Sequence, residues 1–133
     1  MKNYQEIRKQ AEEKRSELFK ECRLFFAFSN SQFQENKTPL AEGEKYVSIG
    51  AGGYLPKSEV NNFSDGLSRI KKWESSEIKR AKLEETEILY ELENHECFYT
   101  GEIEPVVELF AGKYTEAQIR KVYRGQPVEQ NRN

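Results

Sequence analysis

KYVSIGAGGYLPKSEVNNFSDGLSRIKKW, residues 45–73, decides the fold. Its opening run carries Tyr46, Val47 and Ile49, side chains that suit a pleated, half-buried surface, and predicts a short strand over Lys45 to Gly50. Gly50, Gly52 and Gly53 break that run, and Tyr54 and Leu55 open a further short strand. From Ser58, read as an N-cap, Val60, Phe63, Leu67 and Ile70 recur at helical spacing and Trp73 completes the face. A β-favouring run beside a helical periodicity predicts an α+β domain. The four helix residues named before Trp73 are expected to pack into its core.

Upstream of this stretch, LFFAFS (Leu24 to Ser29) is an aromatic run closed by the polar cluster SNSQ, which predicts a second strand. A single helical turn is expected around Gln32 to Glu35, among the turn formers Asn36, Pro39 and Gly43. Residues 3–22 read as a helix on a thin stripe of Tyr4, Ile7, Ala11, Leu18 and Cys22. Downstream, Ile78, Ala81, Ile88, Leu89 and Leu92 continue a helical pattern that is either one long helix or two with a break near Ser75. Two short helices close the chain. The first buries Ile103, Val106, Val107 and Phe110, with Pro105 in its first turn and Gly112 as its stop. The second opens on a Thr115 and Gln118 capping box and buries Ile119, Val122 and Tyr123.

The expected fold is therefore α+β and mostly helical. A small antiparallel sheet of two or three short strands packs against a long or broken helix and a C-terminal helical hairpin. With 133 residues the chain is expected to form a single globular domain over residues 1–125, followed by a flexible tail over 126–133. Hydrophobic residues are 36% and charged residues 33%, so apolar groups must be used economically, while 12% aromatic residues are too many for a disordered chain. No apolar run has the length of a membrane span and no signal-peptide pattern follows the N-terminal charges, which predicts a cytoplasmic protein. Cys22 and Cys97 are read as free thiols of a reducing compartment.

A formal charge of −2 argues against coating of nucleic acid by electrostatics alone. That total hides an asymmetry. From Leu83 to Gly112 there is no Lys or Arg, while Glu84, Glu85, Glu87, Glu91, Glu93, Glu96, Glu102, Glu104 and Glu108 all fall there. Just before it, Arg69, Lys71, Lys72, Lys79, Arg80 and Lys82 form a basic stretch. A run of one sign repels itself where mixed signs would give solubility at less cost, so the acidic block is read as a surface for a basic groove on another macromolecule. Glu91, Glu93, Glu96, Glu102, Glu104 and Glu108 are its candidate partner-binding residues, with only a subset able to share a face.

Three other constellations each have a plain structural explanation. Gly50, Gly52 and Gly53 with Lys57 form a candidate anion-binding loop, but the spacing matches neither of the phosphate-binding glycine patterns, and a plain glycine turn explains it. His95 falls on a helical face with Ile88, Leu92 and Tyr99, which reads as a semi-buried structural histidine; no nucleophile lies at a spacing that would make it catalytic. No metal motif involves His95, Cys97 or Cys22. Residues 103–124, with Arg120, Lys121 and Arg124 on the second helix, are a candidate helix-turn-helix. Its acidic first helix would repel a DNA backbone, which favours an ordinary hairpin.

FFAFSNSQF (Phe25 to Phe33), SIGAGGYLPK (Ser48 to Lys57) and LYELENHECFYTGEIE (Leu89 to Glu104) together resemble a family of short, functionally uncharacterised proteins. The members are encoded by bacteriophages and other mobile elements of Bacteroidota and Firmicutes. They often carry Asp after the YTG triplet where this chain has Glu102. The resemblance implies genomic context: small proteins of such elements are often inhibitors or decoys aimed at host machinery. The expectation is thus a non-enzymatic interaction protein without cofactor or metal, an inhibitor of a host defence or nucleic-acid-handling protein such as a CRISPR effector nuclease. A nucleotide or cyclic-nucleotide binder is the alternative, and a DNA-binding regulator the third.

Overall fold

A computed structural model describes residues 2–125, so the expected tail over 126–133 lies outside the described residues. The fold class is α+β and mostly helical, with one three-stranded antiparallel sheet. In chain order the elements are α1 (Tyr4–Glu21), β1 (Phe25–Phe26), α2 (Asn30–Asn36), β2 (Tyr46–Gly50), β3 (Gly53–Pro56), a 3-10 turn (Lys57–Glu59), α3 (Val60–Arg80), α4 (Glu84–Asn94), α5 (Cys97–Thr100), α6 (Glu104–Leu109) and α7 (Glu116–Arg124). They form two compact units. One comprises residues 5–77; the other comprises the described part of 1–4 and 78–133.

In the first unit the sheet order is β1-β3-β2. Tyr46 pairs with Pro56, Val47 with Leu55 and Ser48 with Tyr54, before the register shifts so that Gly50 faces Gly53. Gly50, Ala51 and Gly52 all take positive φ, of 89°, 51° and 79°, a conformation that glycine adopts without steric cost. Gly52 is needed twice over, because a Cβ there would lie 2.4 Å from the Phe28 ring. Phe25 packs edge-on to Phe33 and Tyr46 and stacks on Tyr54, with centroids 5.1 to 5.6 Å apart. Burying aromatic faces against one another on a small sheet supplies apolar area that a chain poor in aliphatic residues otherwise lacks.

The aromatic run of residues 24–29 pairs as a strand only at Phe25–Phe26. A helix cap cuts it short. Ser29 Oγ accepts from Gln32 N at 3.1 Å, and Gln32 Oε1 accepts from Phe28 N at 2.8 Å, so the chain turns into α2, which is two turns long where one was expected.

Ser58 is not an N-cap. It sits inside the 3-10 turn ahead of α3, and its hydroxyl donates to the Glu44 carboxylate. Val60, Phe63, Leu67 and Ile70 are half-buried, short of the core positions expected. α3 approaches α1 closely at buried Gly66, where a Cβ would lie 2.4 Å from Leu18 Cδ1. Flanking contacts are looser: Phe19 meets Phe63 at 5.8 Å, and Lys14 Nζ sits 4.5 Å above the Trp73 ring.

α3 runs unbroken through Ser75 and ends after Arg80. The break falls at residues 81–83, where Lys82 adopts φ 57°. Leu83 N donates to Ile78 O at 2.9 Å and Lys82 N to Lys79 O at 3.1 Å, a Schellman-type stop whose left-handed residue is Lys and not Gly. α1 ends in the same way, with Arg23 at φ 58° and Leu24 N bonded to Phe19 O.

The second unit has one core, made by Ile88, Leu92, Cys97, Ile103, Val106, Phe110, Ile119 and Val122. The capping box at Thr115 forms, with both reciprocal bonds between Thr115 and Gln118 present. Tyr4 joins this unit through its ring, 5.5 Å from that of Tyr90.

Candidate functional site

The acidic block lies wholly in the second unit, and the core sorts its carboxylates by the partners it offers them. Glu87 is buried and internally satisfied: Lys113 Nζ lies 3.0 Å from one oxygen, and the Tyr114 hydroxyl donates to the other at 2.7 Å. Burial, followed by that carboxylate, pushes the Tyr114 hydroxyl far above the usual phenol range. Glu91 sits in the last turn of α4 at 19% exposure, 3.4 Å from His95 Nε2. His95 is not a core residue. α4 stops at Asn94, His95 caps it with φ −94° and ψ 10°, and the ring is exposed, so the face it was expected to share with Leu92 and Tyr99 does not continue.

Beyond His95 the chain turns sharply. Glu96 adopts φ 56° and ψ 31°, a left-handed conformation, and Gly101 another at φ 78°; between them α5 is one short turn. Cys97 points into the core, which forces its neighbours outward: Phe98 stacks on Tyr123 at 5.0 Å and 9°, and Tyr99 is 91% exposed. Glu93, Glu96, Phe98 and Tyr99 together line a shallow depression of about 370 Å³. The carboxylates of Glu93 and Glu96 form no ion pair among the described residues.

The structure thus brings two of the six candidate acids, Glu93 and Glu96, into one surface with two aromatic rings. Glu102, Glu104 and Glu108 are exposed along the next turn and α6, outside that lining. Glu91 is half-buried and occupied by His95. Tyr99 and Phe98 were missed as site residues, because Tyr99 fits a helical face with His95 on paper. The available signal was HEC, a histidine and an acid just after an asparagine, which is a poor continuation of a helix.

The anion-binding candidates separate. Gly50, Gly52 and Gly53 form the hairpin turn, where Gly50 N donates to Ser48 Oγ and Gly52 O accepts from Ala27 N. Lys57 lies at the opposite end of β3, about 13 Å of extended chain away. The Phe28 ring, 75% exposed, covers Gly52 itself. Residues 103–124 form a hairpin whose inner faces, Ile103, Val106, Phe110, Ile119 and Val122, belong to the common core. On its outer side Arg120 is paired to Glu116 at 3.1 Å.

A second polar cluster, unseen in the sequence, organises the first unit. Arg23 donates twice to Glu44, at 2.9 Å each, and once to Pro39 O at 2.9 Å, with Glu59 3.5 Å away. Glu44 also accepts from Ala41 N at 2.6 Å and from Ser58. The Arg23 hydrogen bonds first, then those from Ser58 and Ala41, lower the Glu44 carboxyl to about 2. Thr38 Oγ1 donates to Arg23 O, and the Tyr46 hydroxyl donates to Thr38 O. Every group in this cluster has a partner, so it reads as a clasp on the loop between α2 and β2. Cys22 and Cys97 are buried free thiols, both pushed up by burial, and no group of three or more metal-ligating side chains gathers among the described residues. Among the described residues no helix is long and apolar enough to cross a membrane.

A family model matches residues 4–126. The chain belongs to DUF7659, a family of unknown function. The match covers both compact units, so what marks DUF7659 in this chain includes the aromatic sheet as well as the acidic end. No curated protein and no solved structure matches it.

Proposed function

We propose that this DUF7659 protein is a non-catalytic interaction protein that binds a basic surface of another macromolecule through the α4–α5 end of its second unit. The observation that carries this reading is Tyr99, 91% exposed beside Phe98 and between carboxylates that form no ion pair among the described residues. A ring left in water forfeits the area it would bury in a core, and tyrosine is among the residues that interfaces favour. The two carboxylates beside it supply steering toward positive charge.

The resemblance to proteins of bacteriophages and mobile elements supports a finer version. In it the partner is a host defence or nucleic-acid-handling protein, such as a CRISPR effector nuclease, whose basic channel the acidic end occupies in place of a nucleic acid. The test is comparative capture from a bacterial host lysate by the wild-type chain and by the double reversal Glu93→Lys with Glu96→Lys. A protein retained by the first and lost by the second, and eluted by salt, is the expected outcome. Equal retention by both chains contradicts the reading.

A further inference from the structure

We infer that the depression lined by Glu93, Glu96, Phe98 and Tyr99 takes an arginine side chain of a protein partner. The inference rests on the interaction reading above and narrows it from a charged surface to one residue type. Three features of the site favour it. Its volume, about 370 Å³, has room for a single side chain, and its two carboxylates would repel the phosphates of a nucleotide. Its lining pairs carboxylates with aromatic rings, and a guanidinium is the cation that meets both, since it donates in a planar fork to carboxylates and stacks flat on rings. A lysine ammonium is a compact and strongly hydrated charge that uses the rings less well.

One ring of the site, that of Phe98, is also held in place. Phe98 is stacked on Tyr123, and the one-turn helix carrying both rings is fixed at each end by a left-handed residue and inward by Cys97, 0% exposed. A partner therefore meets one ring, that of Phe98, that needs little ordering, which lowers the entropic cost of binding.

The experiment titrates the isotopically labelled full chain with two probes, hexa-arginine amide and hexa-lysine amide, following backbone amide shifts by NMR at low and moderate salt. Hexa-arginine is expected to bind more tightly than hexa-lysine and to move the amides of Glu96, Phe98 and Tyr99 most. Tyr99→Ala should weaken the arginine probe about two- to fivefold, the worth of an exposed cation–π contact, and leave the lysine probe nearly unchanged. Because Tyr99 is 91% exposed, the variant should keep its fold, and Glu85→Gln serves as a control for charge alone. If both probes bind equally and neither responds to Tyr99→Ala, the arginine inference is overturned while the acidic interaction surface stands. If neither probe binds at low salt, both fall.

Discussion

Arg23 grips Glu44 with two hydrogen bonds of 2.9 Å, across 21 residues of chain, from a backbone position that only glycine occupies without cost. The Glu44 carboxyl, lowered to about 2, makes this grip sensitive to acid. A carboxyl whose folded pKa lies below its unfolded value contributes stability that is complete above the unfolded value and disappears as pH falls through the folded one. Thermal unfolding of the wild type and of Glu44→Gln should therefore differ most above about pH 4.5 and converge toward pH 2. A constant difference across that range would show that Glu44 acts by packing alone.

Tyr114 and Glu87 make the corresponding pair in the second unit, but with a neutral donor on a buried acid. Tyr114→Phe leaves one Glu87 oxygen without its donor while Lys113 keeps the other. Chemical denaturation should register a loss of about 1–3 kcal/mol, the usual cost of an unsatisfied buried acceptor.

The two units should also answer differently to truncation. Leu92 is 0% exposed within a closed cluster, and Leu92→Ala should cost about 2–5 kcal/mol. Phe63 is only half-buried, so Phe63→Ala should fall well short of the roughly 3–5 kcal/mol of a core aromatic. Equal losses would mean that the α3 face is more deeply covered than its accessibility indicates.

Lys82 stops α3 in a conformation that costs an L-residue about 1–2 kcal/mol. Lys82→Gly should raise the melting temperature, because the Schellman-type stop keeps its backbone hydrogen bonds and loses the steric penalty. An unchanged or lower melting temperature would indicate that the Lys82 side chain contributes contacts of its own.

These left-handed caps also explain what the sequence concealed. The strand, glycine hairpin and helix of residues 45–80 were legible because each follows a local rule: β-favouring side chains, glycine at positive φ, helical spacing. Helix stops at Arg23, Lys82 and Glu96 were not, since the usual glycine signal is absent from all three. The misplaced break near Ser75 and the helical face assigned to His95 both follow from that. Arg23 with Glu44 and Glu87 with Tyr114 were invisible for another reason, being joined only by the tertiary fold. Of the acidic site, the charge was readable from composition, whereas the exposed rings between the charges depended on the turn at Glu96.

Glu96 offers the most direct test of the central claim, because there stability and binding make opposite demands. Its left-handed backbone favours glycine, yet the position holds a carboxylate on the edge of the depression. Glu96→Gly should melt higher than the wild type by roughly the increment seen for Lys82→Gly. It should also associate more slowly, and with a flatter salt dependence, with the partner captured by the wild-type chain. A Glu96→Gly chain that is stabilised and still binds at the wild-type rate with the wild-type salt slope would contradict the account.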